Sequence, residues 1–85
     1  MGGRVTRFRI VDTAGNPVVD GILSVVGSSV PFPEIALLAD ERGMVEVQLP
    51  TGRFTVRAQA DSGRVGDVTV VSPASGESVV EIEVR

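Results

Sequence analysis

Apolar and polar side chains alternate along most of this chain. Successive side chains of an extended strand point to opposite faces, so the alternation predicts strands that bury one face. Seven strands are predicted, over approximately residues 4–11, 21–26, 34–39, 44–49, 53–60, 65–71 and 77–84. No helix is predicted, because the only candidate, residues 34–41, is short and lies between Pro33 and Gly43.

The predicted strands are rich in valine and are separated by turns that contain Gly or Pro. Short β-branched segments with regular turn signals are typical of a sandwich or barrel. A chain of 85 residues can build only one hydrophobic core. We therefore predict an all-β protein with a single domain over residues 1–85, in which two antiparallel layers pack face to face. The predicted inward-facing residues include Phe8, Ile10, Leu23, Val25, Val45, Val47, Leu49, Phe54, Val56, Val80, Ile82 and Val84.

The composition argues against catalysis. His, Cys, Lys, Tyr and Trp are all absent, and these residue types supply most general bases, activated nucleophiles and zinc ligands of enzymes. We therefore predict a protein that is not an enzyme and has no catalytic residues, no cofactor and no metal. A pair of carboxylates is the only familiar acid–base apparatus that this composition leaves open.

Charge and hydropathy restrict the expected partners. The 11 acidic residues outnumber the 8 basic residues, which are all Arg and are scattered, so nucleic-acid binding is not expected. No apolar run approaches the ~18 to 20 residues of a membrane span, and residues 1–4 do not lead into a signal-peptide core. We expect a soluble, cytoplasmic protein with no membrane partner. The exclusive use of Arg is typical of a GC-rich bacterial genome.

Four segments carry a resemblance to a known family. They are Ile10-Val11-Asp12 followed by Gly15-Asn16-Pro17-Val18, the alternation of Leu23 and Val25, Ala39-Asp40-Glu41-Arg42-Gly43 leading into Val45 and Val47, and Leu49-Pro50-Thr51-Gly52-Arg53-Phe54-Thr55-Val56. In order and spacing they resemble the carboxypeptidase regulatory-like domains of the transthyretin-like (prealbumin-like) superfamily. The resemblance covers Phe8 to Ala58 and implies a seven-stranded antiparallel Greek-key β-sandwich.

The chain departs from the family pattern at three positions. Ala39 stands where Thr is common, Thr51 where a second Pro is common, and Phe54 where Tyr is usual. None of these departures disturbs the alternation of strands and turns. Catalytic relatives, the hydroxyisourate hydrolases and the intradiol dioxygenases, depend on His and Tyr, which this chain lacks. The resemblance therefore implies a non-catalytic accessory or interaction module.

We accordingly expect a protein-interaction or assembly module that presents a sheet edge, or the loop Pro31-Phe32-Pro33, to a protein partner. The alternative is a carbohydrate or small-molecule binding module, although Trp and Tyr, the usual platforms for sugars, are absent. An enzyme built on a carboxylate pair is a third hypothesis, which requires two acids about 5 to 9.5 Å apart in a cleft.

Pro31-Phe32-Pro33 is the one apolar element outside the predicted strand pattern. In the first interpretation Phe32 folds back over an open end of the sandwich, and the prolines stiffen the loop. In the second interpretation Phe32 is an exposed anchor, because a rigid loop loses little entropy when it docks into a partner. Both interpretations stay open at this point.

Asp12, Asp40 and Asp61 each precede a glycine by two or three residues, as in calcium-binding loops. Calcium takes about six to eight oxygen ligands, and each of these turns contains only one or two acids. We therefore favour turns in which the carboxylate accepts hydrogen bonds from nearby backbone N–H groups.

Two further expectations concern the strand surfaces. Arg7 and Arg9 are predicted to face Glu81 and Glu83 if the terminal strands lie close together, forming a cross-strand ladder. Several apolar residues also belong to outward-facing sets, which suggests a possible homo-oligomer formed through a sheet face or a sheet edge. These residues are Val11, Ile22, Val26, Val68 or its neighbour Thr69, and Val79.

Overall fold

The computed structural model describes residues 4–33, 35–72 and 79–85. Over these residues the chain forms seven strands and no helix, so the all-β prediction is confirmed. The strand bounds are β1 Arg4–Val11, β2 Ile22–Ser28, β3 Ala36–Leu38, β4 Met44–Leu49, β5 Gly52–Gln59, β6 Val65–Ser72 and β7 Val79–Glu83. The first and fourth strands have the predicted bounds, whereas β3 has only three residues.

The strands form two sheets. One sheet has the order β4-β1-β7 and the other has the order β3-β2-β5-β6. Residues from the inner faces of both sheets belong to one hydrophobic cluster, so the arrangement is that of a β-sandwich. The prediction that all strands are antiparallel is wrong, because β1 and β7 pair in parallel, with Phe8 opposite Val80.

The alternation of each strand places the core. Phe8 on β1 and Phe54 on β5 are completely buried, one from each sheet. The predicted inward-facing residues are all buried except Val25 and Val80, which are half-buried against the cluster. Two predicted outward residues are corrected. Val11 is buried at the end of β1, where its carbonyl accepts the Val84 N–H at 2.9 Å, and Val68 is half-buried, directly opposite the buried Val56.

The two sheets meet along the edges formed by β6 and β7. The Arg85 N–H donates to the carbonyl oxygen of Val65 at 3.0 Å, so the chain after β7 crosses from one sheet to the other. The Ser72 hydroxyl, buried at the other end of β6, donates to the Leu49 carbonyl at 3.2 Å. These bonds join the sheets at both ends of β6.

Ion pairs lie on the outer faces of both sheets. Of the predicted ladder, Arg9 pairs with Glu81 at 3.5 Å. Arg7 pairs instead with Glu46 of β4 at 3.0 Å, because β1 lies between β4 and β7. All of these side chains are substantially exposed, so each pair contributes at most about 1 kcal/mol.

Candidate functional site

A cleft of about 720 Å³ lies beside the C-terminal part of β2, beyond the point where β3 stops pairing with it. β3 pairs with β2 only from Ile22 to Ser24, and β2 continues for four more residues. The loop between β2 and β3 forms the opposite wall. The described residues that line the cleft are Ser24, Val25, Val26, Gly27, Ser28, Val30, Phe32, Ile35 and Ala36.

Beyond Ser24, no described residue pairs with the backbone of β2 on the side that faces this cleft. In an antiparallel pair, alternate residues exchange hydrogen bonds with a given neighbour. Just after β2, the Ser29 N–H donates to the carbonyl oxygen of Arg53 on β5 at 2.9 Å. The N–H and C=O of the preceding residue, Ser28, therefore point away from β5, towards the cleft. Earlier in the chain, the Ala39 N–H donates to the Gly21 carbonyl at 2.8 Å on the β3 side. Alternation from Gly21 points the backbone of Val25 the same way, towards the position that a longer β3 would occupy.

A β-bulge separates these two residues. The pairing of β2 with β5 shifts between Val25 and Gly27, and Val26 is the extra residue, about half exposed. The sequence prediction ended this strand at Val26 and missed the edge beyond it, with which no described strand pairs. Gly27 was the available signal, because a glycine inside a strand pattern often marks a bulge.

Phe32 closes the inner side of the cleft. Its ring contacts the buried ring of Phe54 edge to face, with centroids 5.4 Å apart and an interplanar angle of 72°. Phe32 is half-buried, whereas Pro31 and Pro33 on either side are exposed. The loop thus places Phe32 over the core and also makes it a wall of the cleft, and its role in partner binding stays a prediction.

The described lining of the cleft carries no charged group. Its side-chain polar atoms are the hydroxyls of Ser24 and Ser28. The Ser28 hydroxyl donates to the Val30 carbonyl and accepts the Val30 N–H at 3.2 Å, which holds the start of the loop against the strand. Such a surface can bind an uncharged extended segment through main-chain hydrogen bonds and apolar contacts.

In two of the aspartate turns, the Asp side chain accepts hydrogen bonds from backbone N–H groups of the same turn. One Asp12 carboxylate oxygen accepts the N–H groups of Ala14 and Asn16, both at 2.9 Å. Asp40 accepts those of Arg42 and Met44 at 2.8 and 3.0 Å. The favoured interpretation of these two turns is therefore confirmed.

The third turn has the same backbone bonds, but no hydrogen bond among the described residues joins the Asp61 carboxylate to them. The Ala60 N–H donates to the Arg64 carbonyl at 2.8 Å, as the Asp40 N–H does to Met44 at 3.1 Å. Ala60, not Asp61, stands in the first position of this turn. Within the described ranges, no group of three or more acidic side chains could hold a metal ion.

We expect Asp40 to make stability depend on acid pH. The Met44 and Arg42 N–H groups hold the pKa of Asp40 below its ordinary value of 3.8. A carboxyl whose pKa is lowered on folding stabilises the protein above its unfolded-state pKa, and this stability is lost as the pH falls through the folded-state pKa. Wild type is thus expected to exceed Asp40→Asn in unfolding free energy near neutral pH, with the difference shrinking below about pH 4.

Urea unfolding of both proteins at several pH values measures this difference. Asn keeps an acceptor oxygen but cannot titrate, so it isolates the charge from the turn geometry. Asp67 serves as a shared background, since hydrogen bonding to Arg57 also lowers its pKa in both proteins. A difference that stays constant from neutral to strongly acid pH would contradict the assignment.

Comparisons with known proteins add no assignment to this geometry. The described chain contains no helix that is long and apolar enough to cross a membrane. No protein-family model matches the sequence, and a search of curated proteins finds no match, so the family resemblance of the four segments stays a prediction.

Proposed function

We propose that this chain is a non-catalytic protein-interaction module that holds an extended segment of a protein partner along the free edge of β2. The segment would run antiparallel to β2 and continue the sheet from the point where β3 ends. Strand addition of this kind draws affinity from main-chain hydrogen bonds and specificity from pockets for alternate side chains. The observation that carries the proposal is the backbone of Val25 and Ser28 beside the cleft, with which no described residue pairs on that side.

The chemistry of the cleft supports an uncharged occupant. Val30, Phe32 and Ile35 offer apolar contacts on the core side, and charged residues are absent from its described lining. A bound strand would place every second side chain against these residues. In this proposal the loop Pro31-Phe32-Pro33 is the wall against which the partner packs, not an anchor that enters the partner.

The finer fold assignment belongs to the same proposal. We infer a Greek-key sandwich of the transthyretin-like superfamily, with the role of a carboxypeptidase regulatory-like accessory domain. The order of the four sequence segments and the division into sheets of three and four strands support it. The parallel pairing of β1 and β7 departs from the antiparallel arrangement that the resemblance implies. A cytoplasmic location stays a prediction of the sequence.

A small-molecule site is the second candidate. A volume of about 720 Å³ falls within the range of about 300 to 1,000 Å³ of ligand pockets. Phe32 is the only aromatic side chain in the described lining, and Ser24 and Ser28 supply the only side-chain hydroxyls. Ligand pockets usually combine aromatic walls with converging polar groups, so this lining favours a peptide over a sugar.

Replacing Ser28 by Pro tests strand addition. Proline removes the N–H that faces the cleft, while the β5 side of Ser28 carries no ladder bond to lose. Ser28→Ala is the matched control, because it removes the hydroxyl contacts with Val30 but keeps the N–H. We expect peptides selected on wild type from a display library of uncharged decapeptides to bind Ser28→Pro about tenfold more weakly and Ser28→Ala nearly normally.

Amide chemical shifts of the wild type locate the bound peptide. Perturbations centred on Val25–Ser28 are the expected result, with unchanged melting of both variants as a fold control. A library that yields no binder, or binders whose shifts map outside the cleft, would overturn the proposal. Saturable binding of glycans in the cleft would instead support the second candidate.

A further inference from the structure

On the outer edge of β6, three alternate residues point their backbone N–H and C=O groups away from the sheet. The Ala60 N–H bonds to the Arg64 carbonyl, so in the hairpin of β5 and β6 the even-numbered residues of β6 bond to β5. The odd-numbered residues Asp67, Thr69 and Val71 therefore point their N–H and C=O groups away from β5. Val65 points the same way, but its carbonyl already accepts the Arg85 N–H.

This edge lacks the features that protect natural edge strands. Over Asp67–Val71 there is no Pro, no Lys and no bulge, and no described strand pairs on this side. Its one charged residue, Asp67, is held by Arg57 through bonds of 2.8 and 3.2 Å. Val71 is 60% exposed. An unprotected edge of this kind favours pairing with another strand.

We propose that a second copy of this chain pairs with this edge, so that two β6 strands meet antiparallel around a two-fold axis at Thr69. This inference does not depend on the proposed function, because it uses the edge of the sheet opposite to β2. The partner is argued from the self-complementarity of the strand. Thr69 meets Thr69 of the second copy, and Asp67 meets its Val71.

Electrostatics and the Arg85 contact select this register. Centring the axis on Asp67 would place two carboxylates directly opposite each other, which is destabilising. Centring it on Val68 would bring Val71 against Val65, whose carbonyl is occupied by Arg85. Only the register centred on Thr69 uses Asp67, Thr69 and Val71 of both copies.

The same register brings unlike charges into one row. Arg53 lies opposite Val71 on β5, is exposed, and makes no ion pair with the described residues. Across the axis, Val71 lies opposite Asp67 of the second copy. The positive Arg53 side chain and the negative Asp67 carboxylate of the second copy therefore lie on either side of Val71 on the outer face of the sheet. Thr55, whose hydroxyl lies 3.5 Å from that of Thr69, extends the central row of threonines.

The dimer would form one continuous eight-stranded sheet. Because β2 and β6 lie on opposite sides of β5, the two β2 clefts would remain free. Two clefts on one assembly can bind a repeated partner with an affinity above that of either site alone.

Light scattering coupled to size-exclusion chromatography tests the proposal. Wild type is expected at twice the chain mass of 8.9 kDa at high micromolar concentration. Thr69→Glu places two like charges on the axis and should weaken the dimer at least about tenfold. Thr51→Glu, at an exposed turn outside β6, is the matched control and should remain dimeric.

Mixing variants tests the axis itself. Thr69→Arg alone should also be monomeric, whereas an equal mixture of Thr69→Glu and Thr69→Arg should recover the dimer mass. A monomeric wild type, a dimer unaffected by Thr69→Glu, or a mixture that stays monomeric would each overturn the proposal.

Cysteine cross-linking gives a second readout that does not require a charged variant to fold. The chain has no native Cys, and residues directly opposite in an antiparallel pair are close enough for a disulfide. Mixed Asp67→Cys and Val71→Cys proteins should cross-link to each other under mild oxidation, and more than either variant with itself. Equal cross-linking in all three samples would rule out this register.

Discussion

Replacing Phe54 by Ala is expected to lower the free energy of unfolding by about 3 to 5 kcal/mol, the range for a fully buried aromatic side chain. Phe54 is 0% exposed and lies on β5, an interior strand of the four-stranded sheet. Its removal would leave a cavity between the two sheets that the surrounding strands cannot fill. Because small domains have only about 5 to 15 kcal/mol of stability, this loss should shift urea unfolding markedly.

The contact with Phe32 supplies the control. Phe32 is half-buried, so Phe32→Ala should cost less, about 1 to 2 kcal/mol. Because the two rings are in edge-to-face contact, the double variant should lose less than the sum of the single losses, by about 0.5 to 1.5 kcal/mol. Strictly additive losses, or a Phe54→Ala protein as stable as wild type, would show that the rings do not share the core as described.

Gly66→Ala is expected to cost about 3 kcal/mol or more, at the upper end of the range for overpacked sites. A Cβ at this position would collide with the carbonyl oxygen of Glu83 and would lie 2.9 Å from its carbonyl carbon. The colliding atoms belong to the backbone and cannot rotate away, so β6 and the end of β7 must separate. The bond from the Arg85 N–H to Val65 would weaken with them.

Gly27→Ala is the matched control for this variant. Its added Cβ would meet nothing closer than Thr55 Cβ at 3.4 Å, an ordinary contact. We expect a change within about 1 kcal/mol, since Ala in a strand loses less chain entropy than Gly. Chemical denaturation compares the stabilities of the two variants. Amide hydrogen exchange at Arg85 measures whether its bond to Val65, which joins the two sheets, is weakened. Equal stabilities would argue against the close approach at Gly66.

The alternation predicted the strands well, for a local reason. In β4 the side chains of Val45, Val47 and Leu49 are buried, while Glu46 and Gln48 are exposed, as a period of two requires. The turns were also accessible from sequence, because Asp40 bonds to N–H groups only two and four residues away. Interactions of such short range depend on neighbouring residues alone.

The burial of Val11 was not predictable from the alternation. Its position in the alternation assigns it to the outer face of β1, yet it is buried where the Val84 segment and a bridge to Pro17 meet it. Leu38, by contrast, is 65% exposed, because it lies opposite the exposed Ile22 on the outer face of the sheet, which no described segment covers there. Both outcomes depend on which distant segments arrive, which no local pattern encodes.

The candidate site was predictable only in part. The sequence singled out Phe32 and its flanking prolines, because an apolar residue between two prolines fits no strand. It did not reveal the backbone of Val25 and Ser28, which has no pairing partner on this side among the described residues because β3 is short and β2 contains a bulge. A pairing partner that is missing leaves no mark in the alternation of the strand that lacks it.

By itself, the sequence determined that the chain is all-β, where most strands lie, which side chains form most of the core, and that Asp12 and Asp40 close their turns. Only the tertiary structure decided that β7 runs parallel to β1, that Arg7 pairs with Glu46, and that no described strand pairs with the end of β2 or the outer edge of β6. Side-chain alternation and turn chemistry act over a few residues. Strand order and direction depend on the path of the whole chain, for which a single strand carries almost no signal.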